Sequence, residues 1–415
     1  MIKKNSILVY TLLLVSSFVF SQQKNKKILF VIVDGISADV LEKIETPNLD
    51  TIARFGGYTR AYVGGEKGGF SQTPTISAVG YNSLLTGTWA NKHNVWGNGI
   101  KNPNYKYWTI FRYVQKYKPK LKTAVFSTWL DNRTKLVGEG MLATGSHQLN
   151  YSFDGFELDT INFPHGTDRD YIRRIDEHVT NEATRYIKAE SPDVSWVYLE
   201  YTDDMGHQFG DSEQFYGAIR LMDDQIGRLW SALQFRMKNH NEDWEIYITT
   251  DHGRNGDTGQ GHGGQTDRER LTWMVTNAVN LNQYFKESQP AIVDILPTML
   301  RSLNIKPTKA QLWEIDGTPI TGKVSVTNAK AVRNKASLDI TWTALDKNGK
   351  VKIWVSTTNT FAEGEKDNYL LLAKSKLGSE KVKINVSELP SDFYKIVVEG
   401  KHNSSTTWMV SKKEE

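Results

Sequence analysis

The sequence of 415 residues contains no cysteine. Disulfide bridges, thiolate metal clusters and lipid attachment to cysteine are therefore excluded. A large excess of charge is also missing, because 51 Lys and Arg residues stand against 47 Asp and Glu residues and leave a formal charge of +4. That surplus indicates no basic platform for nucleic acid. With 39% apolar and 24% charged residues, the composition is that of a soluble globular protein with room for one large domain and a smaller one.

Three apolar runs each lead into an acidic residue. Continuous runs of strand-forming apolar residues are typical of strands buried on both faces in a parallel α/β sheet. Ligands of open α/β sheets bind beyond the carboxyl ends of the strands, so the three acids are expected to meet at one site. The runs and their acids are 28–33 with Asp34, 196–201 with Asp203, and 245–250 with Asp251.

Histidines accompany two of these acids, and a third histidine follows in a glycine-rich loop. His207 lies four residues after Asp203, His252 follows Asp251 directly, and His262 lies in a segment with six glycines. Six glycines carry an entropic cost that a purely structural loop seldom bears. A mixture of Asp and His without thiolate suits a catalytic zinc-type site with an open position. Each motif alone is equally typical of a solvated turn, and the ordered set is what indicates a site.

These ordered motifs resemble those of the alkaline phosphatase superfamily, in particular its type I phosphodiesterase/nucleotide pyrophosphatase branch. The resemblance covers residues 27–320 and implies an α/β fold, an alkaline-phosphatase-like sandwich with a mostly parallel central sheet. It also implies a hydrolase for phosphodiester or pyrophosphate bonds. The segments that carry it are Val33-Asp34-Gly35, Thr46 to Asp50, Leu84 to Gly87, Asp203-x-x-x-His207, Asp251-His252-Gly253 and His262.

The resemblance also assigns roles to residues. Ser77, a fixed distance before Thr86-Gly87, is identified as the nucleophile that forms a covalent phosphoseryl intermediate, with Thr75 as the competing hydroxyl. Metal coordination and a helix N-terminus would both favour the serine alkoxide, whereas the alternative for this serine is an ordinary helix N-cap. The implied cofactors are two divalent metal ions, with Zn2+ expected. One ion would be held by Asp34, Ser77, Asp251 and His252, and the other by Asp203, His207 and His262.

Two further residues are candidates for contact with the substrate phosphate. By the resemblance, Asn98 would donate to a nonbridging phosphoryl oxygen, and a turn asparagine between two glycines is the alternative. Arg133 is the second candidate, because phosphomonoesterases of the superfamily carry a Lys-x-Arg pair in a comparable segment. Asp131 replaces that lysine here and should repel a monoester dianion. The substitution therefore favours a diester substrate.

Other functions remain open at this point. A phosphomonoesterase is the alternative on the same scaffold. A sulfatase fits less well, because Ser77 is not followed by the x-Pro-x-Arg sequence that formylglycine formation needs. A surface-binding protein without activity is the alternative of a different class, and it fits poorly with a complete set of site residues. The expected partner is a small-molecule phosphate ester.

The beginning of the chain predicts a signal peptide over residues 1–21. Lys3 and Lys4 precede an apolar stretch over residues 7–20, and Ser21 supplies a small residue for cleavage. A bacterial protein cut there would be periplasmic or secreted, with no membrane attachment after cleavage. An uncleaved membrane anchor is the alternative.

Two domains are expected in the mature chain. Residues 22–322 would form the catalytic domain, with an insertion around residues 101–190 that sets specificity. Short alternating runs after residue 322 predict a small all-β sandwich over residues 323–415, which resembles fibronectin type III domains. Its role, either glycan binding or packing on the catalytic domain, is not decided by composition. A 4-3-4-3-4 spacing predicts one long amphipathic helix, with Phe215, Ile219, Met222, Ile226, Leu229 and Leu233 on its buried face.

Overall fold

The computed structural model describes residues 24–346 and 348–411. The predicted signal peptide at residues 1–21 lies outside this range. The described chain forms an α/β unit followed by an all-β unit, and no helix within it combines the length and the apolar character needed to cross a membrane.

The strands of the α/β unit form one sheet. In chain order they are β1 (Asn25–Val33), β2 (Gly57–Tyr62), β3 (Thr123–Ser127), β4 (Tyr151–Phe153), β5 (Val194–Leu199), β6 (Glu242–Thr249) and β7 (Leu271–Thr276). Their order across the sheet is β2-β7-β6-β1-β5-β3-β4. The run from β6 to β4 is parallel, and β7 and β2 add an antiparallel edge. The predicted α/β class with a mostly parallel sheet is confirmed.

Helices cover both faces of this sheet. They are α1 (Ala38–Leu41), α2 (Pro47–Phe55), α3 (Ser77–Thr86), α4 (Ala90–His93), α5 (Ile110–Tyr117), α6 (Asp170–Glu190), α7 (Tyr201–Phe209), α8 (Glu213–Asn239), α9 (Asp267–Arg270), α10 (Gln283–Glu287), α11 (Ile295–Ser302) and α12 (Lys309–Leu312). Alternate side chains of β1 enter two different hydrophobic clusters, one with α3 and α11 and the other with α6 and α8. A continuous apolar strand sequence is the consequence of burial on both faces.

Two helix predictions are confirmed in position. All six residues of the predicted stripe lie in α8 and are at most 2% exposed. Helix α2 begins at Pro47 and is followed by Gly56, but the side chain of Thr46 makes no capping bond. The backbone N–H groups of Asn48 and Leu49 instead donate to the Asp223 carboxylate of α8. A tertiary contact therefore provides the cap that the local sequence seemed to offer.

The prediction of a separate insertion at residues 101–190 is wrong for much of that range. Strand β3 is fully buried and pairs with β5, and β4 extends the same sheet. Helix α6 packs against α8 within the second hydrophobic cluster. These elements escaped recognition because β3 and β4 are short, with polar connections between them.

The all-β unit consists of two antiparallel sheets. Its strands are β8 (Val326–Asn334), β9 (Ser337–Ala344), β10 (Lys350–Ser356), β11 (Leu370–Lys376), β12 (Lys381–Asn385), β13 (Phe393–Glu399) and β14 (Ser404–Val410). The sheet orders are β11-β10-β13-β14 and β12-β9-β8. The sequence indicated five of these strands and missed β8 and β14, which are rich in polar residues.

The core changes between Val324, which belongs to the α/β unit, and Val326, which belongs to the sandwich. We therefore keep the proposed division near residue 323. The Tyr394 hydroxyl in β13 donates to the Leu389 carbonyl at 2.6 Å. Such a tyrosine corner is typical of immunoglobulin-like sandwiches, so the resemblance to fibronectin type III remains our prediction.

Candidate active site

The order of the strands brings the three predicted acids together. Strands β6, β1 and β5 are direct neighbours and run parallel, so their carboxyl ends share one edge of the sheet. Asp34 follows β1 directly, Asp203 lies in the first turn of α7 after β5, and Asp251 lies two residues beyond β6. The Thr202 hydroxyl ties two of these segments by donating to the Asp34 carbonyl at 2.6 Å.

Four of the predicted ligands surround one point. The Nε2 atom of His252 is 3.3 Å from Oδ1 of Asp34, from Oδ2 of Asp251 and from Oγ of Ser77. A tetrahedral site with zinc bonds of about 2.0–2.1 Å places its ligand atoms about 3.3 Å apart. The Nδ1 atom of His252 lies 2.9 Å from the Gly253 carbonyl and is the donor in that contact, which leaves Nε2 free as a ligand atom.

The carboxylate oxygens at this point are buried without partners. Oδ1 of Asp34 and Oδ2 of Asp251 accept no hydrogen bond from any residue in the described chain. An unpaired buried charge is strongly unfavourable, so the two oxygens fit a bound cation. The other oxygen of Asp34 accepts bonds from the hydroxyls of Tyr81 and Tyr198, the latter at 2.7 Å. These two bonds turn Oδ1 toward the site.

Three predicted residues form a second group of ligand atoms. Nε2 of His207 is 3.1 Å from Oδ2 of Asp203 and 3.1 Å from Nε2 of His262. The Nδ1 atom of His262 donates to the Thr75 carbonyl at 2.8 Å, so its Nε2 carries the lone pair. The three side chains lie within the span of one metal ion. The rings of His252 and His262 stack with centroids 3.7 Å apart, which places the two groups side by side.

Charges within the site shift the pKa values of its residues. Burial lowers the pKa of His252, but Asp251 and Asp34 outweigh that effect and raise it to about 9. Burial, followed by the charge of Asp34, raises the pKa of Asp251 well above its ordinary value. Burial and the neighbouring His252 lower the pKa of His262 to about 4. The carboxylates therefore hold a positive charge wherever the pocket allows one, as expected of a cation site.

Arg254 is a buried positioning residue that the sequence did not reveal. Its Nη1 donates to Oδ1 of Asp203 at 2.5 Å, and its Nε donates to the Gly259 carbonyl at 2.5 Å. It thereby connects a proposed ligand to the glycine-rich loop that carries His262. A Cβ on Gly206 would collide with its guanidinium, which explains a glycine in the middle of α7. Tyr81 and Tyr198 were missed likewise, and the only local signal for them is that Tyr81 lies one helical turn after Ser77.

The structure separates the two hydroxyls that competed as nucleophile. Ser77 is the first residue of α3, with Ile76 at the N-cap position, so its side chain is not a helix cap. The Thr75 hydroxyl donates to the Gly264 carbonyl at 3.0 Å and accepts from the Gly263 N–H at 2.9 Å. Among these two hydroxyls, only that of Ser77 lies against the ligand atoms, while Thr75 holds the loop of His262.

Asn98 lies beside the start of the same helix. Its Oδ1 accepts a hydrogen bond from the Ala78 N–H at 3.0 Å, and the residue is exposed. An amide that accepts through its oxygen presents its NH2 group as a donor. That donor therefore lies close to Ser77, the position expected of a contact to a phosphoryl oxygen.

Arg133 is engaged elsewhere. Its Nε and Nη2 atoms donate to the two carboxylate oxygens of Asp154 at 2.7 and 2.9 Å, and its Nη1 donates to Glu139 at 2.8 Å. Two carboxylates already surround this guanidinium. The neighbouring Asp131 pairs with Lys135 at 2.7 Å. We do not carry Arg133 forward as a phosphate ligand, because the cluster has no positive charge to spare.

The fold and the site together define an α/β protein with a candidate two-metal centre at the carboxyl edge of its sheet. Residues 28–258 match the model of the type I phosphodiesterase / nucleotide pyrophosphatase family. The chain belongs to that family, within the alkaline phosphatase superfamily.

Individual relatives are distant. Ectonucleotide pyrophosphatase/phosphodiesterase family member 5 of Homo sapiens is 23% identical over 282 residues, which are 66% of this chain and 51% of that protein. A 2,3-bisphosphoglycerate-independent phosphoglycerate mutase of Natronomonas pharaonis is 29% identical over 136 residues, 31% of this chain and 24% of the mutase. The chain thus spans about half, or less, of the length of the curated relatives that it matches.

Solved structures with a similar fold include two from different kingdoms. Murine ectonucleotide pyrophosphatase/phosphodiesterase 5 has a TM-score of 0.48 and 15% identity, and the match covers 68% of this chain and 96% of that one. A protein of the alkaline phosphatase superfamily from Vibrio parahaemolyticus has a TM-score of 0.48 and 12% identity, with coverage of 95% and 83%.

Proposed function

We propose that this protein is a metal-dependent hydrolase of phosphodiester or pyrophosphate bonds, with Ser77 as its nucleophile. The observation that carries the proposal is the convergence of Ser77 Oγ with three buried ligand atoms at spacings of 3.3 Å, two of them carboxylate oxygens without partners. A structural serine gains nothing from that position. A serine activated for attack on phosphorus requires it.

Each metal ion has a proposed set of ligands. Asp34, Ser77, Asp251 and His252 would hold one ion, and Asp203, His207 and His262 would hold the other. The donor set of three carboxylates, three imidazoles and one hydroxyl, with no thiolate, suits Zn2+. When bound, the ions supply Lewis acidity and stabilise the serine alkoxide and the charge on the phosphoryl oxygens.

The residues of the chain orient the reaction. Ser77 Oγ would form a bond to phosphorus while the bond from phosphorus to the leaving oxygen breaks, giving a phosphoseryl group. Water would then attack phosphorus, release Ser77 and yield the phosphate product. The free N–H groups at the start of α3 and the amide of Asn98 lie beside the reacting group and would donate to its nonbridging oxygens.

Charge favours a diester substrate over a monoester. A monoester dianion places more charge on its nonbridging oxygens and gains more from a free cation near the metals. Arg133 and Lys135, the cations expected in that role from the sequence, are each paired with carboxylates. A phosphomonoesterase therefore remains the second candidate, and no glycan contact by the sandwich belongs to the proposal. Export through the predicted signal peptide does belong to it.

Paired substrates and metal analysis test the proposal. Purified protein should contain about two zinc-type ions, lose activity to a chelator and hydrolyse bis(p-nitrophenyl) phosphate faster than p-nitrophenyl phosphate. Asp251→Asn should lower both the metal content and the activity. Full turnover of either ester by metal-free protein would refute the mechanism, and a tenfold preference for the monoester would move the assignment to the phosphatases.

A further inference from the structure

The C-terminal sandwich is joined to the α/β unit by a buried group of charges. Lys395 in β13 is 1% exposed, and its Nζ lies 2.7 Å from Oε1 of Glu314 and 2.6 Å from Oδ2 of Asp367. Glu314 belongs to the α/β unit, whereas the other two residues belong to the sandwich. Removing one partner from a buried ionic group leaves an uncompensated charge, so these contacts fix how the two units meet.

The turn that carries Glu314 also holds the far end of the nucleophile helix. The Asp316 N–H donates to the carbonyl of Gly87, which follows α3, at 2.8 Å. The Asp316 carboxylate accepts from the Trp89 N–H at 3.0 Å and from Lys92 Nζ at 2.6 Å. Lys92 Nζ, itself buried, donates in addition to the Glu314 carbonyl at 2.7 Å. One turn thus connects the sandwich to both α3 and α4.

Helix α4 leads in turn to the proposed phosphate contact. His93 bonds Ser83 of α3 at 3.0 Å through Nε2, and its Nδ1 accepts from the Val95 N–H at 3.1 Å. Burial lowers the pKa of His93 to about 3, so the ring is neutral and can act as donor and acceptor at once. Five residues further along, Asn98 accepts from Ala78 at the start of α3. Both ends of the nucleophile helix are therefore held by one connected set of contacts.

We infer that Lys395 is a positioning residue that holds Ser77 and Asn98 in place from the second domain, through Glu314, Asp316 and Lys92. The sandwich is then part of the catalytic unit and not an independent module appended to it. The kinetic consequence rests on the proposed function of Ser77, but the mechanical consequence does not.

The test compares Lys395→Met with Lys383→Met in the full-length, zinc-loaded protein. Lys383 is a matched control, because it is 61% exposed on the same sandwich and its only ion pair is with Asp339 at 3.9 Å. Amide hydrogen exchange of peptides covering residues 77–98 should become about tenfold faster in Lys395→Met, because their local opening is no longer restrained. The turnover number for bis(p-nitrophenyl) phosphate should fall about tenfold at unchanged zinc content, because a small displacement of reacting groups is costly.

A second variant covers the case in which Lys395→Met does not fold. Lys395→Met combined with Glu314→Gln and Asp367→Asn removes all three charges at nearly constant shape. It should fold and still show the faster exchange at residues 77–98, as the Lys383→Met control should not. Wild-type exchange and turnover in that triple variant would overturn the inference. If the wild-type protein hydrolyses no ester, the exchange measurement still decides the inference, while the proposed function fails separately.

Discussion

At the scale of single residues, each proposed ligand is oriented by a partner outside the metal site. The hydroxyls of Tyr81 and Tyr198 bond Asp34, the Gly253 carbonyl fixes His252, and the Thr75 carbonyl fixes His262. Such second contacts set the tautomer and the direction of a ligand, and they affect metal affinity nearly as much as the ligands do.

The nucleophile can be tested against its neighbour two residues away. Ser77→Ala should keep the metal, apart from one lost ligand, and lose turnover by several orders of magnitude, because the covalent route disappears. Thr75→Ala should retain far more turnover, since the Thr75 hydroxyl bonds only the loop of His262. Steady-state kinetics and zinc analysis on both variants provide the measurement. The opposite ranking would show that the assignment of the nucleophile is wrong.

Removing one tyrosine hydroxyl should weaken the first metal ion. Tyr198→Phe deletes one of the two bonds that orient Asp34, so zinc affinity is expected to fall about 10- to 100-fold. Tyr247→Phe is the control, because its buried hydroxyl bonds Glu245, away from the site. Titration with a competing chelator measures both. Equal affinities in the two variants would show that the tyrosine does not orient the ligand.

At the scale of elements, α7 and the glycine-rich loop carry the second group of ligands, and other elements hold both. The carboxylate of Asp176 in α6 accepts from the N–H groups of Glu200 and Tyr201 at the start of α7. Arg254 joins the loop to Asp203. The glycines permit this approach, as Gly35 does at φ +70°, where a Cβ would strike Asp203.

Loss of Arg254 should be most costly without metal. Arg254→Met leaves the buried Asp203 carboxylate without its partner, and the free energy of unfolding of metal-free protein should fall by about 3–5 kcal/mol. Added zinc should recover part of that loss by compensating the same charge. Arg220→Met is the control, because Arg220 is 52% exposed and its 3.5 Å pair with Glu213 should contribute at most about 1 kcal/mol. Urea unfolding with and without zinc measures all of this, and a loss unaffected by zinc would contradict it.

The cap of α7 should give the protein a specific pH dependence. Burial raises the pKa of Asp176 from 3.8 to about 7 against the opposing effect of its hydrogen bonds. Within that pH window the folded state holds a proton that the unfolded state releases, so this residue makes the free energy of unfolding fall as pH rises. Asp176→Asn lacks that component. The difference in unfolding free energy, wild type minus variant, should decrease from pH 4 to pH 7, and a flat or rising difference would contradict the assignment.

At the scale of the whole molecule, the two units share an interface that the order of motifs does not show. Every proposed ligand precedes residue 322, which by itself would suggest that catalysis survives removal of the sandwich. The interface contains the buried Lys395 group and the contacts of Trp313 with Trp354 and Tyr369. Removal of the sandwich therefore exposes apolar surface and leaves Glu314 without its cation.

A chain ending at residue 322 should consequently be less stable than the full-length protein. The melting temperature is expected to fall by about 10 °C, since each kcal/mol corresponds to about 2–4 °C at this size. Differential scanning calorimetry of the truncated and full-length proteins, both loaded with zinc, measures the change. An unchanged melting temperature with full activity would show that the sandwich is an independent module.

The sequence by itself determined the fold class and the elements that are long and periodic. The apolar run of β1, the stripe on α8 and the acids that end three strands were readable, because burial on two faces and helical periodicity leave a local pattern. The same regularity placed seven proposed ligands in one sheet edge before any coordinates. The short strands β3 and β4 and the polar strands β8 and β14 left no such pattern and were misread or missed.

Only the tertiary structure decided which groups face the site. Arg254, Tyr81 and Tyr198 reach it across many residues of sequence, so no local spacing announces them. The hydroxyls of Ser77 and Thr75 differ by two positions, and their roles separate only where the chain folds against His252 and the loop of His262. The pairing of Arg133 with Asp154 and the burial of Lys395 at a domain interface are likewise invisible in sequence. Charge partners are chosen by distance in space, which the order of residues along the chain does not give.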